Sequence, residues 1–132
     1  MKPSKVLSPS REELQSLVAS AGGPEAISRL VLAFYEAMEK DPMIGFFFTG
    51  RDLAAIAEKQ AGFILLAAGL SRKFDGKGPA AAHGALPPIL PGHFDRRIVI
   101  LRETLQASGL SPDTIALWVR FEESFRTQVV ST

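Results

Sequence analysis

Gly78-Pro79-Ala80-Ala81-Ala82-His83-Gly84-Ala85-Leu86-Pro87-Pro88-Ile89 holds one of the chain's two histidines in a small apolar segment fenced by prolines. Pro79 suits the first position of a helix, with Gly78 as a permissive cap before it. Pro87 and Pro88 forbid that helix from continuing, because proline lacks the N–H and disfavours helix in the residue before it. His83 is therefore expected near the middle of a helix of about one or two turns, too short to be stable alone. Something outside the segment must hold it. An imidazole bound to a metal is one way; a histidine packed or solvated on a connecting turn is the plainer alternative.

Toward the N-terminus, Arg51 to Ala68 reads as a long helix closed by Gly69. Its inward stripe is Leu53, Ile56, Gln60, Phe63 and Ala67, with Ile64 beside it. Gln60 interrupts an otherwise apolar face. A buried amide group without a partner costs about 1–3 kcal/mol, so Gln60 either lies at the edge of the stripe or faces something polar. Before this helix, the corner Asp41-Pro42-Met43-Ile44-Gly45-Phe46-Phe47-Phe48-Thr49-Gly50 carries three of the nine phenylalanines. So much aromatic surface is expected to be covered, as the wall of a core or a pocket.

The preceding helix starts at Pro24 and runs to about Lys40, where Asp41-Pro42 stops it. It presents Ile27, Leu30, Val31, Phe34, Tyr35 and Met38 at three- and four-residue spacing. Tyr35, the only tyrosine, lies on or at the edge of that stripe, and its phenol needs a hydrogen-bond partner. It either snorkels at the rim of the core or shares a pocket, and a polar guest, with Gln60. Ala21-Gly22-Gly23-Pro24 is a sharp break, and Ser10-Arg11-Glu12-Glu13 is a capping box opening a first helix through Leu14, Leu17 and Val18. Residues 1–9 are expected to be a flexible leader, and 10–132 a single domain.

Toward the C-terminus, Pro91-Gly92 precedes a helix from about His93 to Ala107, with Phe94, Ile98, Leu101 and Leu105 inward. His93, at its start, reads as a solvated or capping residue. After the turn Ser108–Asp113, Ser111 can cap and Pro112 begin a last helix with Ile115, Trp118, Phe121, Phe125 and Val129 inward. No strand alternation and no repeat is visible. The fold class is all-α.

Composition narrows the function. At 46% hydrophobic and 22% charged the chain is globular rather than disordered. A net charge of +1 advertises neither nucleic acid nor an anionic membrane as partner. With no cysteine, disulfides, thiolate nucleophiles and Cys-based metal sites are excluded. No signal peptide or membrane span is apparent, so a cytoplasmic protein is the expectation. There is no phosphate-binding glycine loop, no His-Glu-x-x-His helix and no nucleophile motif. A cofactor that brings its own chemistry and needs one imidazole, apolar walls and a few polar contacts suits what remains, and haem is such a cofactor.

Taken in order, Gly22-Gly23, Phe34-Tyr35, Asp41-Pro42 with Phe47-Phe48, Lys59-Gln60, Phe63, Gly76, His83 and His93-Phe94 resemble the truncated haemoglobins, most closely group I. The resemblance spans about residues 15 to 130. It implies a truncated globin-like two-over-two helical sandwich with a shortened F-helix segment around His83. His83 is then the proximal iron ligand of haem b (iron protoporphyrin IX). Tyr35 is the phenol that donates to a ligand on the iron, with Gln60 as its amide partner. Phe48 packs against the porphyrin, and Phe47, Phe63 and Phe94 supply further wall. Ile56 takes the place where larger globins often carry a distal histidine, and Lys59 reaches a haem propionate.

The same resemblance implies reversible binding of dioxygen, with nitric oxide and carbon monoxide as further ligands. It also implies oxidation of nitric oxide to nitrate, sustained by an external electron-donating reductase. The alternative is a haem- or gas-responsive sensor or interaction module without turnover. A peroxidase is disfavoured, because neither Tyr35 nor Gln60 is a good proton shuttle near neutral pH. The chain departs from the family pattern at Gly69-Leu70, where a second Gly-Gly is common, and at Phe74, where tyrosine is frequent. The loop from His83 to Phe94 is about one residue longer than in some members. Arg97 falls near positions that are usually apolar and is expected at the rim, pointing to solvent, with Glu122 its partner if it gates the ligand route. No histidine occurs in the last helix or the third, which leaves no residue for a covalent histidine–haem link or a bis-histidine state.

Overall fold

In the computed structural model, residues 8–71 and 88–130 are described; within them every regular element is a helix. They are α1 (Arg11–Ala21), α2 (Pro24–Glu39), a 3₁₀ turn (Gly45–Phe47), α3 (Leu53–Ala67), α4 (Pro91–Ala107), α5 (Pro112–Glu123) and α6 (Arg126–Val129). The pair α2 and α3 and the pair α4 and α5 form the two-over-two sandwich: α2 packs on both α3 and α4, while α1 bridges to α5. Residues 78–87, expected to hold the shortened helix with His83, lie outside the described residues.

Helices α1, α3, α4 and α5 begin where a side chain pairs one of the first N–H groups, and α2 begins at a proline. Ser10 Oγ accepts from the Glu13 N–H at 3.1 Å and Glu13 returns the bond to the Ser10 N–H at 2.9 Å, completing the capping box. Asp52 accepts from the Ala55 N–H at 3.1 Å, so α3 starts at Leu53 rather than at Arg51. Pro91 takes the first position of α4, which therefore begins two residues before the expected His93. Between α1 and α2 the chain bends by 83° through Gly22 and Gly23, at φ of 110° and 100°, backbone that side chains rarely tolerate.

The core holds Leu17, Ile27, Phe34, Met38, Ile64, Leu101, Leu105 and Trp118, all essentially inaccessible. Each large apolar side chain so buried contributes about 1.5–3 kcal/mol against unfolding. No single described helix is long and apolar enough to cross a membrane.

Three packing details differ from the pattern in the sequence. The fully buried face of α3 is Ala57, Ala61 and Ile64, where small side chains let the helix lie close on α2; the expected stripe Leu53, Ile56, Gln60, Phe63 and Ala67 is only half-buried. At the corner, Phe47 is buried and Phe48 half-buried, but Phe46 is 53% exposed. A turn with three residues per revolution cannot aim three consecutive rings at one core. The last helix, expected unbroken, ends at Glu123 and restarts at Arg126. The Ser124 hydroxyl takes the Phe121 carbonyl at 2.5 Å and the Phe125 N–H bonds Glu122 O at 3.1 Å, tightening the turn. Phe125 thereby meets the rings of Phe63 and Phe121, at 5.4 and 5.1 Å between centroids.

Candidate functional site

The aromatic corner and the start of α4 face each other across a cleft. Phe47, Phe48 and Phe94 line it, with Met38, Ile44, Ile89 and Val129 completing the apolar wall. Two polar side chains, His93 and Arg97, also reach it. The cleft has a cavity volume of about 40 Å³ and is open on one side.

His93 is committed to the fold. Its Nδ1 accepts the Leu90 N–H at 3.0 Å, supplying the cap that α4 needs. A neutral imidazole that accepts through Nδ1 carries its proton on Nε2 and has no lone pair left for a metal. Its ring also meets Phe46 and Phe47 edge-on, at 5.8 and 5.2 Å. The capping role expected from sequence is therefore present, while His83 lies outside the described residues.

Tyr35 is buried on α2, not snorkelling: it packs edge-on against Phe48 at 5.5 Å and beside Phe34 at 5.6 Å. Arg97, expected at the rim, is turned inward. Its side chain is 13% exposed, and its guanidinium lies 4.9 Å from the Phe34 ring centroid and 5.6 Å from that of Tyr35. One terminal nitrogen donates to Glu122 Oε2 at 3.2 Å and the other to Met38 Sδ at 3.6 Å. Burial pulls the guanidinium's pKa down, but attraction to Glu122 and Tyr35 outweighs it, and the net shift is upward. The charge stays on Arg97 at any working pH.

Gln60 joins the same cluster by a route the sequence did not suggest. Its amide donates to Glu122 Oε1 at 3.2 Å. A carboxylate only accepts, so the amide nitrogen must face it and the orientation of Gln60 is chemically fixed. Glu122 thus binds Gln60 through one oxygen and Arg97 through the other. The polar guest expected between Tyr35 and Gln60 is, in this structure, an ion pair of the chain itself.

Of the residues singled out by sequence, the cleft brings together Phe47, Phe48 and Phe94, with Tyr35 against Phe48 and Gln60 linked through Glu122 and Arg97. Phe63 packs instead with Phe121 and Phe125. Ile56 is half-buried and Lys59 exposed, and neither is in the cleft lining. Sequence reasoning raised the Arg97–Glu122 pair only as an alternative to a solvent-facing Arg97 and missed its link to Gln60, although periodicity held the signal. Glu122 follows Trp118 by four on an inward stripe, and Arg97 sits three after Phe94 and four before Leu101. Two opposite charges on inward positions of neighbouring helices call for each other.

The cleft's three aromatic walls and the Arg97 guanidinium, with Tyr35 packed on Phe48 and Gln60 joined through Glu122, suit a flat apolar group that carries a small polar ligand. Comparison with known proteins points the same way. The family model for bacterial-like globins matches residues 16–130. A group 1 truncated hemoglobin of Chlamydomonas moewusii is 33% identical over 117 residues, covering 88% of this chain and 68% of that one. The 2/2 hemoglobin of Synechococcus, solved in the cyanomet state with covalently attached heme, superposes with a TM-score of 0.74 at 30% identity, over 86% of this chain and 97% of that one. The truncated hemoglobin of Tetrahymena pyriformis superposes at 0.78 and 24% identity over 88% and 98% of the two chains, a likeness of fold.

Proposed function

This chain belongs to the bacterial-like globins as a group 1 truncated haemoglobin, and on that premise we propose that it binds haem b and, through it, dioxygen and other diatomic gases. His83 is the proposed iron ligand, since His93 spends its only acceptor nitrogen on the cap of α4. Phe47, Phe48 and Phe94 are the proposed flat walls, and Ile56 and Phe63 extend them along the half-buried stripe of α3. Lys59, exposed one position off that stripe, has the stem length to pair with a propionate. The absence of histidine from residues 94–132 favours haem held without a covalent link there, whereas the Synechococcus relative carries covalently attached heme.

The bound iron supplies the gas affinity and the electron transfer. The chain's own residues decide what happens around it. Apolar walls keep water out, which slows loss of an electron from the ferrous state and strengthens every hydrogen bond in the pocket. The Tyr35 phenol, buried and braced by Phe34 and Phe48, is placed to donate to a ligand that gains negative charge. The same donors suit nitric oxide dioxygenation, in which nitric oxide, dioxygen and one electron yield nitrate. The electron must come from an external reductase.

The observation that carries this proposal is a buried tyrosine packed against Phe48, a wall of an aromatic cleft that the neighbouring Arg97 guanidinium also lines. Absorption spectra of the purified chain in ferric, ferrous and dioxygen-exposed states test it. A strong Soret band is expected, lost in His83→Ala. A colourless protein that ignores added haemin refutes it. Tyr35→Phe is expected to release dioxygen at least about tenfold faster, the loss of one hydrogen bond to a charged acceptor.

A further inference from the structure

The Arg97–Glu122 pair is built in a way that leaves the guanidinium only partly satisfied. A guanidinium carries five N–H donors in a planar fork and matches a carboxylate best with two parallel bonds. Here it makes a single contact of 3.2 Å to one carboxylate oxygen and a weak one to a thioether, and its remaining polar neighbour is the Tyr35 phenol. The other carboxylate oxygen is held by Gln60, so Glu122 cannot swing to form the fork without giving up that bond. The rings of Phe34 and Tyr35 fix the guanidinium in place, and Arg97 is among the side chains lining the cleft. A cation in so little water acts strongly on a charge brought beside it.

We propose that Arg97 is a ligand-selecting residue, a fixed cation that favours small anions over neutral molecules in the cleft, and that Glu122 is the positioning residue that sets how much of its charge is available. The proposal rests on the haem-binding reading, with the anion as a ligand of ferric iron. Five donors facing one carboxylate oxygen, the Tyr35 phenol oxygen and one sulfur still leave N–H groups to meet an incoming fluoride or azide. A neutral diatomic such as carbon monoxide gains little from the same charge. Removing the Glu122 charge strips Arg97 of its counter-ion and strengthens anion binding; removing both charges abolishes the preference.

The test is spectrophotometric titration of the haem-loaded protein with fluoride in the ferric state and carbon monoxide in the ferrous state. Wild type is compared with Glu122→Gln and with Arg97→Met/Glu122→Gln, which keeps side-chain volume and leaves no unpaired buried charge. Relative to wild type, Glu122→Gln is expected to bind fluoride about tenfold more tightly and the double variant about tenfold more weakly, with carbon monoxide affinity within about twofold throughout. Fluoride affinity within about twofold of wild type in both variants, with the Soret band intact, shows the pair to be structural and overturns the proposal. A parallel change in carbon monoxide affinity assigns the effect to pocket shape and overturns it too. A wild-type chain with no Soret band refutes the haem-binding reading itself, and this proposal with it.

Discussion

Cutting the Arg97–Glu122 pair from one side should cost far more than deleting it. Glu122 is 6% exposed. In Arg97→Met its carboxylate keeps only the Gln60 amide, a bond whose net contribution is about 0.5–1.5 kcal/mol. Orphaning a buried charge costs about 3–5 kcal/mol, and the retained amide places the expected loss near about 3 kcal/mol. That is a large share of the roughly 5–15 kcal/mol that holds a domain folded. Urea unfolding followed by far-ultraviolet circular dichroism, at matched haem occupancy, measures this. With a slope near 2 kcal/mol/M, the midpoint should drop by about 1.5 M at pH 7. Adding Glu122→Leu to Arg97→Met should restore most of the loss, because no charge is left to desolvate. A double variant as unstable as the single one refutes the reasoning.

Two further outcomes follow from the frame of the fold. Asp41 receives both Arg96 nitrogens on one oxygen and the Met43 and Ile44 N–H groups on the other, and the Arg96 bond leads in holding its pKa below the usual carboxylate value. Its contribution is present above about pH 3.9 and is lost as pH falls through the lowered value. Asp41→Asn should therefore cost about 1.5–3 kcal/mol in urea unfolding at pH 7 and progressively less below pH 4. Gly23, at φ 100° and ψ 179°, occupies backbone that is almost exclusive to glycine. Gly23→Ala should cost about 1–3 kcal/mol in thermal or urea unfolding, although nothing lies within 4 Å of the added methyl.

The sequence by itself determined the helices, their starts and much of their inward faces. These are local matters: Ser10, Ser111, Pro24 and Pro112 act within a turn of their own positions, and burial follows the 3.6-residue period. The half-buried stripe of α3 and the ring of the corner left in solvent were not legible. Which face of a helix is closed depends on the size of the side chains opposite, as Ala57 and Ala61 against α2 show. The Tyr35–Gln60 partnership was legible only as a need: each side chain asked for a polar neighbour, and no local pattern says from which helix it comes. Sequence offered Glu122 only as a possible partner of Arg97, 25 residues away; tertiary structure alone joined it to Gln60, 62 residues away. It turned Arg97 inward because a buried carboxylate and a guanidinium cost less together than either does alone in a dry interior. It also fixed His93 as a cap, leaving the proline-fenced His83 as the histidine for iron in the reading proposed here.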